Sequence, residues 1–144
     1  MICEAVSIIG LTVCSIADIR SRKIYIMPCL TMIVFGIFVN FIIQGNDWKE
    51  FIPGIGIGLL LLLIAFIKNS GIGKGDGLVV FALGCMVKGD KVFQIVFLSF
   101  LFVIIFGGLG AIRKKIKLKS ELPFVPFLFA SEITVLAIER IISI

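Results

Sequence analysis

Two aspartates, Asp18 and Asp76, are the residues whose type and surroundings could do chemistry. Each stands where a long apolar run meets a polar break, and an ionisable side chain at membrane depth is costly enough to indicate function. Two carboxylates that can meet form a pair in which like charge keeps one protonated while the other ionises. Such a pair could activate a water molecule and protonate a leaving amine.

The surroundings of Asp76 are rich in glycine, with the run GIGKGDG at 71–77. Four glycines would let another chain approach closely, and we expect irregular backbone here, facing protein or a wet cavity. A dinucleotide fingerprint is excluded because no strand and no G-x-G-x-x-G spacing are present. A P-loop is excluded because Gly75, not Ser or Thr, follows Lys74. Asp18 alone could also be an ordinary interfacial charge paired with Arg20 or Arg22.

Histidine and cysteine usage limits the other chemistries. The chain contains no histidine, which excludes His-based metal sites and His-activated nucleophiles, and we predict no metal. The four cysteines form no C-x-x-C pair and lie mostly in apolar segments, which predicts buried, unpaired thiols. They are Cys3, Cys14, Cys29 and Cys85.

The composition is that of an integral membrane protein. Of 144 residues, 60% are hydrophobic and 16% are charged, and the mean hydropathy is +1.20. A soluble domain has about 45–50% apolar and about 25% charged residues, and could not bury so much apolar surface. This excludes a soluble enzyme, a disordered chain and a secreted disulfide scaffold. The net charge of +5 comes from basic clusters between apolar runs, which indicates membrane topology and not nucleic-acid binding.

The elements that would position the aspartates are transmembrane helices. Apolar runs separated by short polar breaks predict an all-α polytopic membrane protein, one domain over 1–144, with about six spans. The fourth span is too short to cross alone and should borrow residues from the glycine-rich stretch or from 88–91. Gly54 and Gly58, at G-x-x-x-G spacing, predict close helix packing. The spans are expected near 1–17, 26–44, 51–67, 77–87, 92–112 and 124–141.

The basic residues predict the orientation of these spans. Alternate breaks hold ten Lys and Arg residues, and the opposite breaks hold the other four. The positive-inside rule places the first set in the cytoplasm and both termini outside. Both aspartates then lie at the cytoplasmic membrane face.

Three segments, which follow one another along the chain in the order expected for the family, resemble those of the type IV prepilin peptidases. Residues 73–76, GKGD, match the G-x-G-D motif of intramembrane aspartyl proteases. Residues 18–20, DIR, followed by Ile24 and Pro28, resemble the first-aspartate segment, and 122–128, LPFVPFL, resembles the segment that opens the last span. Larger members add a domain with paired C-x-x-C motifs and methyltransferase activity. We expect neither here, as in the short peptidase-only form of Flp/Tad-type pilus systems.

The resemblance implies an aspartic-type endopeptidase of the cell inner or plasma membrane. It would cleave the leader peptide from type IV prepilins or pseudopilins at the cytoplasmic face, after a glycine. Asp18 and Asp76 would share the water-activating and leaving-group-protonating roles, with no cofactor and no nucleic-acid partner. The partners implied are the prepilin and the lipid bilayer, and the oligomeric state is left open. The implied substrate-binding residues are Gly73, Lys74, Gly75, Pro123, Phe124 and Pro126.

Two alternatives belong to other classes of protein. A small non-enzymatic channel, transporter or pilus-assembly subunit could use the paired aspartates as ion ligands. Such folds usually have duplicated halves with matching helix breaks, and no second glycine-Asp break is present. A presenilin-like protease would carry Tyr-Asp and Pro-Ala-Leu landmarks, which the chain lacks.

Overall fold

The structure, a computed structural model, describes residues 2–21, 26–67, 73–112 and 123–144. Within these ranges the chain forms six α-helices and no β-strand, which confirms the predicted all-α fold. A π-helical stretch, Phe38–Ile43, continues the second helix, and a 3-10 turn, Trp48–Glu50, precedes the third. In chain order the helices are α1 Ile2–Ser21, α2 Ile26–Ile37, α3 Ile52–Phe66, α4 Lys74–Met86, α5 Gly89–Ile112 and α6 Val125–Ile142.

The outer surface of the helices is apolar. In the described part of the chain, three helical segments are long and apolar enough to cross a membrane: Ile2–Ser21, Ile26–Ile43 and Gly89–Gly110. Large side chains such as Phe93 and Ile104 of α5 are exposed on this surface. Apolar exposure on this scale is typical of helices in contact with lipid, so the chain is a membrane protein.

Two helix ends differ from the predicted spans near the aspartates. α1 continues past Ala17 to Ser21, which places Asp18 inside the helix. α4 begins at Lys74 and so takes residues from the glycine-rich stretch, as the short fourth span required. The expectation of irregular backbone at Gly75 and Asp76 is wrong, because these residues form the first turn of α4.

Glycines bring α3 and α4 into close contact. A Cβ added to Gly58 of α3 would overlap the backbone of Phe81 in α4. A Cβ on Gly84 of α4 would lie 2.6 Å from the carbonyl atoms of Gly54, and one on Gly77 would lie 2.7 Å from the α3 backbone. The packing role predicted for Gly54 and Gly58 is confirmed, and the glycines of α4 complete the contact.

Polar contacts fix the directions in which the helices run. Cys3, near the start of α1, donates a hydrogen bond of 3.4 Å to Asn40, which follows α2. The Asn40 amide donates to the carbonyl of Met86, at the end of α4, at 3.1 Å. Ser7 of α1 hydrogen-bonds to Glu132 of α6. α1 therefore runs antiparallel to α2 and α6, whereas α2 and α4 run in the same direction.

The bundle accordingly has two chemically different ends. The aspartate end, defined by Asp18 and Asp76, contains the C-terminus of α1 and the N-termini of α2, α4 and α6. The opposite end, here the Lys91 end, contains Lys91 of α5, whose ammonium lies 2.7 Å from carboxylate oxygens of Glu4 and of Glu139. These ion pairs join α1, α5 and α6.

The described basic residues divide between the two ends as their order in the chain predicts. Arg20 and Lys74 lie at the aspartate end. Lys49, Lys88 and Arg140 lie at the Lys91 end, with Lys91 itself. The other residues of the predicted cytoplasmic set lie outside the described residues: Arg22, Lys23, Lys68 and those in 113–119.

Candidate active site

Asp18 is buried within the bundle. It lies in the last turns of α1, and its side chain is only 7% exposed. An ordinary interfacial charge would be solvated, so this burial distinguishes Asp18 from the neighbouring Arg20, which is exposed. A carboxyl group is kept at such a position at a cost in desolvation.

Asp76 approaches Asp18 from a different helix. It lies in the first turn of α4, is half-buried, and α1 and α4 are in contact. The charge of Asp18 acts directly on the Asp76 carboxyl, so the two groups are within electrostatic reach of each other. The fold thus brings together two carboxyls that are far apart in the chain.

Gly73 holds the Asp76 carboxyl in place. Gly73 is the N-cap of α4, and its carbonyl accepts a hydrogen bond of 3.0 Å from the Asp76 N–H. In return, the Gly73 N–H hydrogen-bonds to the Asp76 carboxyl, an exchange that resembles a capping box. A Cβ on Gly73 would lie 2.8 Å from Asp76 Oδ2, so any side chain here would displace the carboxyl. The sequence did contain this signal, since a carboxyl three residues after an N-cap is the capping-box spacing.

Lys74 and Gly75 complete the first turn of α4. Lys74 is exposed, and its ammonium lies 4.9 Å from the centre of the Phe66 ring at the end of α3. This cation–π contact directs the charge of Lys74 towards α3. Gly75 is half-buried between Lys74 and Asp76.

Pro123, Phe124 and Pro126 lie at the same end of the bundle but on α6. All three are half-buried, and Pro126 is in the first turn of α6, where its missing N–H costs no helical hydrogen bond. The Phe124 ring packs against Phe100 of α5, with ring centres 5.3 Å apart. The structure therefore places this segment beside α5, whereas Gly73, Lys74 and Gly75 adjoin Asp76 directly.

Sequence reasoning missed two buried contacts between helices. Glu132 of α6 is buried and hydrogen-bonded to Ser7 of α1. All four cysteines are free and buried, as predicted, but the contact of Cys14 with Cys29 was not foreseen. Neither pairing has a signal in the sequence, because the partners come from different helices.

The two carboxyls at the aspartate end are groups that can accept and donate protons. Among the described residues, no group of three or more His, Cys, Asp or Glu side chains could hold a metal ion. When two carboxyls act on each other electrostatically, like charge keeps one protonated while the other is ionised, so that one can act as an acid and the other as a base.

Comparison with known proteins places this site in a family. The model of the type IV leader peptidase family matches residues 5–108, an interval that contains Asp18, Asp76 and the glycines beside Asp76. The chain belongs to the type IV leader peptidase family. The match ends before Pro123, so the opening segment of α6 lies outside it. Comparisons with curated proteins and with solved structures found no match.

Membership of the leader peptidase family agrees with the resemblance of the sequence to prepilin peptidases. The family indicates a membrane protease of the leader-peptidase type. In this leader peptidase, the matched interval includes all of α1 from Ala5 onward, all of α4, and the contact between them.

Proposed function

We propose that this leader peptidase is an aspartic-type endopeptidase whose catalytic residues are Asp18 and Asp76. It removes the leader peptide from a type IV prepilin or pseudopilin at the cytoplasmic face of the membrane. The substrate has a short basic leader followed by an apolar helix, and the cleaved bond follows a glycine. The protein acts without a metal ion or an organic cofactor.

One observation carries the proposal: two carboxyls, from α1 and α4, lie at the same end of the bundle, near enough for the charge of Asp18 to act on Asp76. An ordinary interfacial charge, the alternative interpretation of Asp18 taken alone, does not account for this pairing as well. An interfacial charge on α1 would not require a second carboxyl from α4 beside it. Burying Asp18 near that carboxyl costs free energy, which indicates that the pair has a function.

The chemistry follows from the shared proton. The ionised carboxyl accepts a proton from a water molecule as the water oxygen attacks the scissile carbonyl carbon. The protonated carboxyl donates its proton to the leaving nitrogen as the carbon–nitrogen bond breaks. After the two transfers, one carboxyl is again protonated and the other ionised.

The residues around Asp76 support binding of an extended substrate in this proposal. Gly73 and Gly75 have no side chains, so a substrate backbone can approach the carboxyl closely. Lys74 supplies a positive charge beside the site. Pro123, Phe124 and Pro126, at the start of α6, contact the substrate at the same end of the bundle.

The proposal predicts that Asp18→Asn and Asp76→Asn each abolish cleavage of a synthetic prepilin by the detergent-purified protein. Loss of general acid or base catalysis should lower kcat by about 10²- to 10⁴-fold. Asp→Glu at either position should also damage cleavage, because it moves the carboxyl. Binding of the prepilin should survive, since the lost step is chemical.

Asp90→Asn is the matched control. Asp90 is an exposed aspartate in the first turn of α5 at the Lys91 end, so its variant should cleave normally. A chelator should leave the rate unchanged. Cleavage near the normal rate by either the Asp18 or the Asp76 variant would contradict the proposal.

A further inference from the structure

Cys14 and Cys29 form a dithiol between α1 and α2. Their thiols are near enough to interact, and the two residues are 1% and 0% exposed. One turn away, Gly10 of α1 lies against Met32 of α2 so closely that a Cβ on Gly10 would overlap the Met32 sulfur. The two helices are therefore held together at the level of the thiols.

The other two cysteines provide an internal comparison. Cys3 is at the Lys91 end and hydrogen-bonds to Asn40, while Cys85 lies near the end of α4. All four thiols are buried, so burial alone does not distinguish the pair. Direct contact between two thiols distinguishes Cys14 and Cys29.

We propose that Cys14 and Cys29 are a redox-sensitive pair, oxidised by a peroxide to a disulfide that joins α1 to α2 beside Asp18. One thiol loses its proton, and its sulfur attacks a peroxide oxygen; the oxygen–oxygen bond breaks, giving a sulfenic acid and water. The second sulfur then displaces the sulfenic hydroxyl, which leaves as water. In total, two thiols and one hydrogen peroxide give one disulfide and two waters. A small uncharged oxidant is required because neither thiol is exposed.

The position of the pair connects it to the peptidase site, and this step rests on the proposed function. Cys14 is one helical turn before Asp18 on α1, and the charge of Asp18 acts on the Cys14 thiol. A disulfide holds its two sulfurs about 2.0 Å apart and restricts the two Cα atoms to a separation of about 4.4–6.8 Å, so oxidation constrains the position of α1 against α2. Asp18 moves with α1, and displacing a catalytic group by about 1 Å can cost about 100-fold in rate. Oxidation therefore switches the peptidase off.

Mass spectrometry tests whether Cys14 and Cys29 form a disulfide, independently of any effect on prepilin cleavage. The reduced full-length protein in detergent is treated with hydrogen peroxide or with diamide, then denatured, alkylated with a maleimide and digested. We expect a disulfide-linked peptide containing Cys14 and Cys29, with Cys3 and Cys85 alkylated. Full alkylation of all four cysteines after both oxidants, or a cross-link that involves Cys3 or Cys85 instead, would overturn the proposal.

Cleavage of a prepilin tests the switch. Oxidation should lower the rate by about tenfold or more, and dithiothreitol should restore it. The double variant Cys3→Ser/Cys85→Ser should respond in the same way, whereas Cys14→Ala and Cys29→Ala should keep their rates in peroxide. A Cys14–Cys29 disulfide that leaves cleavage unchanged would overturn the switch. A reduced protein that cleaves no prepilin would contradict the proposed function. The mass spectra would still show whether Cys14 and Cys29 form a disulfide.

Discussion

The Asp76 carboxyl depends on the absence of a side chain at position 73. Gly73 exchanges hydrogen bonds with Asp76 at the start of α4, and a Cβ on Gly73 would meet Asp76 Oδ2. The backbone angles of Gly73, φ −69° and ψ 137°, are open to any residue. The requirement for glycine here is thus one of space beside the carboxyl and not of backbone conformation.

At the residue scale, we predict that Gly73→Ala lowers prepilin cleavage by about 10- to 100-fold because the Asp76 carboxyl must move. The free energy of unfolding should fall by no more than about 1 kcal/mol, since the displaced atom is the end of one side chain. Cleavage rates and unfolding in detergent measure the two effects separately. Gly108→Ala is the control, because a Cβ at Gly108 would meet no atom within 4 Å. Unchanged cleavage by Gly73→Ala would show that Asp76 does not need this position.

At the scale of the elements, α4 is held from two sides. Glycines place its backbone directly against α3, and the Asn40 amide nitrogen donates hydrogen bonds to the carbonyls of Cys85 and Met86, each at 3.1 Å. The last carbonyls of a helix have no partner within the helix, so a buried side-chain donor stabilises its C-terminus. These contacts fix where α4 lies, and therefore where Asp76 lies.

We predict that Gly58→Ala destabilises the protein by about 1–3 kcal/mol, because its Cβ would overlap the Phe81 backbone, which cannot yield as a side chain can. Gly56→Ala, two positions earlier on the same helix, should be neutral or stabilising by up to about 1 kcal/mol, because a Cβ there meets nothing within 4 Å. Denaturation in mixed micelles, followed by circular dichroism, measures both. Equal effects of the two variants would contradict the close contact of α3 with α4.

At the scale of the whole molecule, chemistry and charge are divided between two ends. The aspartate end carries the carboxyl pair, whereas the Lys91 end carries ion pairs that join α1, α5 and α6. Lys88 and Glu50 add an exposed ion pair at the Lys91 end, with 2.7 Å between charged atoms. Ion pairs therefore link the helices at the end of the bundle opposite to the candidate active site.

We predict that the aspartate end faces the cytoplasm, because ten of the fourteen basic residues fall in the breaks that lie on its side in the six-span topology. An impermeant maleimide should label Asp47→Cys in right-side-out vesicles and Lys117→Cys in inside-out vesicles only. The native cysteines are buried and give a low background. Labelling of both positions from the same side would contradict the six-span topology, and labelling in the reverse order would place the carboxyl pair outside.

The fold class could be predicted from the sequence, and so could the position of two aspartates at the ends of apolar segments, because both depend on local composition. Apolar runs of span length require helices in lipid, and ionisable groups at their ends stand out against that background. The G-x-x-x-G spacing likewise indicated that Gly54 and Gly58 pack closely. In each case, the signal lies within a single segment of the chain.

The tertiary structure alone decided which groups from different helices meet. The pairing of Asp18 with Asp76, of Cys14 with Cys29 and of Ser7 with Glu132 depends on the relative rotation and height of packed helices. The rotation and height of each helix depend on where its glycines let it pack against a neighbouring backbone, as Gly84 packs against Gly54. A linear sequence records the small residues on each surface but not which surface they will meet, and only the folded bundle settles that choice.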